Sequence, residues 1–532
     1  MLDWTPDLPT TTCMHVPPLL AILLEDAVDR IAQAPYASFR WHMLGKLLGA
    51  NPDAAVRAWL QALVLARLPA DGEAGFLRAT FLADLNGDPA CTAQAAQQLL
   101  LLAPFDAERV MAFASYQWGR AVADLADHQH FIDALRNARL PDLMHLAGQR
   151  LSALASLPRR PVTSVRKVAL LVPMLGNAIH PPTDMALQQA ALLTALGCAV
   201  TLYACQELVQ PMMEHHLGFP GHVVAPLPDL AALPARLPPG VQVTLADSRL
   251  SMMRRWREVL AVIARDDPDL VMFVGLNSPL LQPLYEARPV LGLGVHALAP
   301  MAPVDVWLAA DPEKAACASS TWGNAMPPAF GHHHPYRVLR KAAPPLQRKD
   351  LDLPADALVL LTVGARLASE INGPWAQRML AVLERHPRTV WLLAGGIGEV
   401  PAALQGARPG QVRTSPHRAD LGGVYRLSDV VINPPRVGGG LSTAEAMAEG
   451  VPVLALAGGD SGHKMGNLAM ADDTRYFAVL DELLTTPTLR ASMGQAMRQR
   501  FDDTLDLSRS GPSLRAACEL AVARFAMRQP SS

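Results

Sequence analysis

The sequence predicts an α/β protein made of two similar α/β halves in tandem behind an all-α region. Three observations predict it. Residues 17–155 carry apolar side chains at helical spacing and no strand pattern. From about 165 the pattern becomes short, almost wholly apolar runs separated by helical segments, as expected of parallel strands covered on both faces. After a proline-rich, basic stretch at 336–353 the alternation starts again.

In order, apolar residues recur at helical spacing over 19–31, 54–68, 74–85, 92–102 and 107–125. Pro35, Pro69 and Pro104 stand 34 and 35 residues apart, and ARLPADGE at 66–73 echoes LAPFDAE at 102–108. A helix pair per ~34 residues is the tetratricopeptide pattern; an irregular helical bundle is the alternative. Pro158-Arg159-Arg160-Pro161 reads as a linker. Strands follow at 167–172, 199–203, 241–245, 270–274, 290–293 and 306–308, with helices at 182–196 and 252–265. In the second half, strands are predicted at 358–363, 390–394, 412–414, 430–432 and 451–456, and helices at 374–386 and 421–427. The tail, 473–501 and 513–528, reads as helix. The domains implied are 1–160, 161–346 and 347–532. Ligands of such sheets bind at the carboxyl ends of the strands, so a cleft between the halves is the expected site.

At 532 residues, half of them apolar, the chain has material for about three domains. Its 46 Lys+Arg nearly cancel 48 Asp+Glu, so nothing resembles a nucleic-acid footprint. Six scattered cysteines without a CxxC pair indicate neither a zinc site nor a disulfide framework. The start lacks the pattern of a signal peptide, and no apolar run approaches the ~20 residues of a membrane span. A soluble cytoplasmic protein without an integral membrane segment is expected. The abundant Ala, Leu, Arg and Pro fit a GC-rich, bacterial source.

The most informative stretch is 430–456, VVINPPRVGGGLSTAEAMAEGVPVLAL. It reads as strand, glycine loop, helix from near Ser442 to Gly450, and strand. Such a loop brings backbone N–H groups and the positive end of a helix dipole to one point, a phosphate site.

With these elements in order, the second half resembles the GT-B glycosyltransferases. Val363-Gly364-Ala365-Arg366-Leu367 is similar to the strand end that opens the donor domain of retaining sugar transferases. Trp391-Leu392-Leu393-Ala394-Gly395-Gly396, LGGVYRLSDVVINP at 421–434 and GGGLSTAEAMAEGVPVLA at 438–455 resemble the segments that follow. VPMLGNAIH at 172–180 places a small glycine loop where an acceptor domain has one. Helical repeats before such a module resemble the architecture of the protein O-GlcNAc transferase group and of bacterial cytoplasmic N-glycosyltransferases.

The resemblance implies two Rossmann-like domains facing a cleft and transfer of sugar from a UDP- or GDP-linked donor, with no separate cofactor or metal. The acceptor would be a protein or a glycan, with the N-terminal helices recruiting a partner. Gly438, Gly439, Gly440, Ser442 and Thr443 would contact the diphosphate; a tight turn needing positive φ is the plainer role of the glycines. Glu445 would accept the ribose hydroxyls, although Ser442-Thr443-Ala444-Glu445 also reads as a capping box. The chain departs from the family at two places. Val437 stands where a second glutamate is usual, which points away from a retaining mechanism, and Glu370-Ile371-Asn372 replaces an expected lysine. Arg366 and Lys464 are then candidates to neutralise the leaving diphosphate, or are solvated surface cations. His180, Asp184 and His296, after strand ends of the first half, are candidate bases for an inverting transfer; structural roles are the alternative. His332-His333-His334 reads as a linker loop rather than a metal tract, since consecutive residues point different ways. Asp429 and Asn433 read as turn residues. Besides a glycan-directed transferase, a sugar-nucleotide 2-epimerase and a degenerate scaffold that binds partners share this pattern.

Overall fold

A computed structural model describes residues 18–528, apart from 34–38, 52, 125–127, 155–156, 177–179, 208–232, 296–297, 341–342, 396–397, 417, 419–420 and 437. His296 and Val437 therefore lie outside the described residues.

The N-terminal region is helical: α1 (Pro18–Gln33), α2 (Phe39–Gly49), α3 (Ala54–Arg67), α4 (Gly72–Asn86), α5 (Pro89–Leu101), α6 (Ala107–Asp124), α7 (His128–Asn137) and α8 (Leu140–Ser152). Pro69 and Pro104 fall in the α3–α4 and α5–α6 connections, so the proline spacing marks helix pairs. The caps are local: Asp53 accepts from Ala55 and Val56 N–H at the head of α3, and Asp88 accepts from Ala90 N–H at α5.

The first α/β half comprises β1 (Lys167–Val172), α9 (Pro181–Ala195), β2 (Ala199–Ala204), α10 (Leu233–Arg236), β3 (Gln242–Leu245), α11 (Met252–Asp266), β4 (Leu270–Val274), α12 (Leu281–Ala287), β5 (Val290–Leu293), β6 (Val306–Ala309), β7 (Ala318–Ser319) and β8 (Ala329–His333). The sheet runs β3-β2-β1-β4-β5-β6-β8-β7, parallel except for the β7–β8 pair. His332 and His333 are thus strand residues, not linker. An alternating apolar pattern is absent there, so the sequence hides β8.

The second half contains β9 (Leu358–Val363), α13 (Leu367–Glu370), α14 (Gly373–Arg385), β10 (Thr389–Ala394), β11 (Val412–Ser415), α15 (Leu421–Leu427), β12 (Val430–Ile432), α16 (Gly440–Ala448), β13 (Val453–Leu454), α17 (Asp460–Met465), α18 (Asp473–Thr485), α19 (Pro487–Arg500) and α20 (Gly511–Met527). Its sheet, β11-β10-β9-β12-β13, is wholly parallel. β13 is shorter than the apolar run at 451–456 suggests, because Leu456 leaves the sheet to bridge Met470. Two α/β halves thus stand in tandem behind a helical region, as the sequence predicts.

Two packing features join the parts. One face of the first sheet shares a continuous core with the helical region: Phe113, Phe131 and Leu143 belong with Trp256, Phe273 and Leu284. α8 meets α12 closely at Gly148, where a Cβ would stand 2.6 Å from Gln282 Cβ. On the other face, α20 returns from the end of the chain to bury Leu514, Ala517 and Ala521 against β1, β4 and β5 residues. The last helix therefore belongs with the first half rather than with 347–532. The 158–161 linker is pinned: Arg159 donates to the Phe525 and Arg528 carbonyls, both at 2.8 Å, and Arg160 pairs with Asp267 and Asp269.

Candidate active site

Strand order determines where each sheet offers a crevice. In the second sheet the chain moves outward one way through β10 and β11 and the other way through β12 and β13. The switch point lies between β9 and β12, and ligands of such sheets bind outside the strand ends there. Arg366 follows β9 and the glycine loop follows β12.

The loop enters α16 through Gly439, whose φ of 93° no β-carbon tolerates easily; a Cβ there would also stand 2.8 Å from Arg436 Nη2. The first N–H groups of α16 therefore open at Gly438–Gly440, the arrangement that suits an anion. Beneath the loop is an ionic platform that the sequence does not announce. Arg436 is buried and donates Nε to Asn433 Oδ1 at 2.8 Å, Nη1 to Glu370 Oε2 at 2.5 Å and Nη2 to the Val363 carbonyl at 2.9 Å. Asn433 is thus more than a turn residue. Glu370 also sits 3.0 Å from Arg366 Nη2, yet no N–H of Arg366 points at that oxygen. The Arg366 guanidinium is half-exposed, and its Nη2 lies 3.6 Å from where a Gly438 side chain would begin. So the glutamate that replaces the expected lysine tethers two arginines at the loop.

On the other side, α17 braces the loop. Gly440 fits against Asp460, where a Cβ would come within 2.9 Å of Asp460 Cβ. Thr443 Oγ1 donates to Ser461 Oγ at 3.0 Å, and Ser442 Oγ donates to the Gly439 carbonyl at 2.9 Å. Both hydroxyls serve the loop's own shape. Lys464, four residues after Asp460, is buried. Among the described residues no acceptor takes an Nζ hydrogen and no carboxylate reaches ion-pair distance. Burial, with Arg337 and Arg500 nearby, lowers its pKa to about 8 against the opposing pull of Asp460. Arg337, also buried, donates to the Tyr336 and Leu308 carbonyls, and Arg500 Nε donates to the Lys464 carbonyl. Lys464 thus feels two neighbouring cations and one aspartate.

Glu445 loses its capping explanation. The helix starts at Gly440, two residues earlier than the sequence suggests, so Ser442 lies inside the first turn and cannot be an N-cap. Glu445 instead accepts from the buried Tyr425 hydroxyl at 3.2 Å.

In the first sheet the switch point lies between β1 and β4. His180 follows β1, with Nδ1 2.8 Å from Thr183 Oγ1, which also accepts from Gly176 N–H at 2.7 Å. Burial and the Arg236 charge depress the imidazole to about 4, against Asp184. Asp184, the other candidate base after β1, is salt-bridged to Arg236. Near the same strand ends Glu207 is fully buried, takes hydrogen bonds from Trp256 Nε1 and Ser278 Oγ at 2.8 Å each, and is pushed up to about 8 by burial. His334 is buried; its Nδ1 and His332 Nε2 meet Ser513 Oγ of α20 at 3.0 and 3.2 Å. The histidine tract ties β8 to the returning helix. Asp429 Oδ2 accepts from Val359 N–H at 2.8 Å, which ties the start of β12 to β9 rather than shaping a turn. Among the described residues no cluster of three or more His, Cys, Asp or Glu could hold a metal ion, and no helix is long and apolar enough to cross a membrane.

No family model matches the chain, and no curated protein matches it. Solved structures of similar layout include a mutant O-GlcNAc transferase of Thermobaculum terrenum, 16% identical with a TM-score of 0.49, covering 95% of this chain and 98% of that one. A glycosyltransferase of Rickettsia africae is 13% identical, covers 67% and 98%, and has a TM-score of 0.46. The glycotransferase of kitacinnamycin is 14% identical, covers 68% and 99%, and has a TM-score of 0.42.

Proposed function

We propose that this chain is a glycosyltransferase that takes a sugar from a UDP- or GDP-linked donor and passes it to a protein side chain. The observation that carries the reading is the buried Lys464, which among the described residues has no carboxylate at ion-pair distance, in the helix that braces the Gly438–Gly440 loop. Arg337 and Arg500 add positive charge beside it, and Asp460 is the opposing charge that acts on it. A diphosphate supplies the missing negative charge, with loop N–H groups as donors. Arg366, tethered but half-exposed, closes on it from β9. Glu445, one turn along α16 and steadied by Tyr425, accepts the ribose hydroxyls.

In the transfer, an acceptor oxygen or nitrogen forms a bond to the anomeric carbon while the bond from that carbon to the β-phosphate oxygen breaks. The leaving nucleoside diphosphate gains charge, which the loop N–H groups, Arg366 and Lys464 stabilise without a metal. His180 is the candidate base by position: its imidazole is neutral at pH 7, and a bound acceptor must offset the burial that depresses it to about 4 before it takes the proton.

Glu370, buried between Arg366 and Arg436, neutralises the platform under the loop. Calorimetry with UDP, GDP and their sugars tests the reading; saturable binding of one nucleotide series is expected, and no binding of any would overturn it. Incubation of a cell extract with labelled donor then separates acceptors: label in the protein fraction is expected, and label confined to lipid or free glycan assigns the glycan-directed alternative.

A further inference from the structure

The helical region touches the second half at one chemically specific place. His128, the first residue of α7, donates its backbone N–H to the Gly458 carbonyl at 3.0 Å. Its Nε2 lies 2.9 Å from Asp460 Oδ1 and its Nδ1 3.1 Å from His463 Nε2; the two rings are tilted, with centroids 4.6 Å apart. All three side chains are largely buried. The hydrogen positions follow from the chain of contacts. A carboxylate only accepts, so His128 Nε2 carries a proton toward Asp460. In the neutral ring Nδ1 then accepts from His463 Nε2–H. One imidazole from the helical region thus fixes both ends of a turn of α17.

α17 is the helix that shapes the donor loop. Asp460 fills the space beside Gly440, Ser461 receives the Thr443 hydroxyl, and Lys464 follows His463 directly. We infer that His128 is a positioning residue for the donor site, coupling the seating of the helical region to the setting of the Gly438–Gly440 loop and Lys464. This rests on the donor-site reading above. A consequence is reciprocal: whatever shifts α7 changes donor affinity, and donor occupancy changes the seating of α7 by the same factor.

The experiment measures binding of UDP and of inorganic pyrophosphate by the full chain by calorimetry, with KM and kcat for the donor found in the panel. His128→Ala is compared with His128→Gln, whose amide can still donate to Asp460, and with Leu135→Ala. Leu135 is buried in α7 as part of the shared core and has no polar side-chain group to offer Asp460 or His463. Expected is a tenfold or greater rise in Kd and donor KM for His128→Ala, substantial recovery in His128→Gln, and no comparable rise in Leu135→Ala at matched folded fraction. Equal affinity in wild type and His128→Ala, or equal losses in His128→Ala and Leu135→Ala, overturns the inference and leaves the donor site standing. A wild-type chain that binds neither probe overturns the donor-site reading, and this inference with it.

Discussion

At the scale of single residues, charge decides. The Lys464 ammonium is buried and its pKa lowered to about 8. For a lysine whose folded pKa lies below its unfolded value, the cost to stability is complete while the group is protonated in both states, below pH 8, and fades as pH rises toward the ordinary amine range. Anion binding has the opposite dependence, because the diphosphate needs the ammonium. Nucleotide affinity should therefore hold steady up to about pH 8 and fall above it, by up to about tenfold per pH unit. Lys464→Met should bind more weakly at pH 7 and lose that fall; a titration of Kd between pH 6.5 and 9.5 checks both. Glu370 makes a different prediction. Glu370→Ala strands the buried Arg436 guanidinium, which typically costs about 3–5 kcal/mol. Chemical denaturation should show that loss, together with weaker nucleotide binding as Arg366 loses its tether. Glu370 was legible only as a departure from a motif. Its purpose depends on Arg436, which lies sixty-six residues away and carries no sequence signal of its own.

At the scale of elements, the glycine loop works through geometry that a side chain would spoil. Gly439→Ala places a β-carbon at φ 93°, a left-handed conformation that costs about 1–2 kcal/mol. Gly440→Ala pushes α17 from α16 through Asp460. Both variants should remain folded and lose nucleotide affinity, with Gly440→Ala also disturbing Lys464; calorimetry beside thermal unfolding separates the two effects. Elements with strong apolar periodicity were legible from sequence, and β1, β4, β5, β9 and β12 have the predicted bounds. Those missed depend on partners. β8 ends in two polar imidazoles and is strand because β6 and β7 flank it. The start of α16 was placed late because Ser442 and Glu445 imitate a cap, whereas the true N-cap is a glycine. The positions of His180 and Asp184 after β1 are legible in the sequence, but only the fold reveals that Arg236 pairs with Asp184.

At the scale of the whole molecule, the helical region is not a detachable arm. Its Phe113, Phe131 and Leu143 share a core with the first sheet, and His128 reaches the second half. Deleting residues 1–155 should expose that core and yield aggregated or partly unfolded protein, read by size-exclusion chromatography and cooperative unfolding. A soluble, cooperatively folded fragment of 156–532 would contradict the shared core. The returning α20 has a related consequence. It closes on the first half, so truncation at 510 should destabilise that half rather than the one it follows in sequence. Neither relation is visible in the chain, because both join segments hundreds of residues apart.

All three scales meet at the donor loop, and one measurement tests it most directly: titration of UDP and GDP into the wild-type chain and into Glu445→Ala and Lys464→Met. Saturable binding of one nucleotide by the wild type is predicted, weakened at least tenfold in each variant while each variant stays fully folded at the assay temperature. Binding of equal strength in all three proteins, or none in the wild type, would contradict the assignment of this loop as a sugar-nucleotide site.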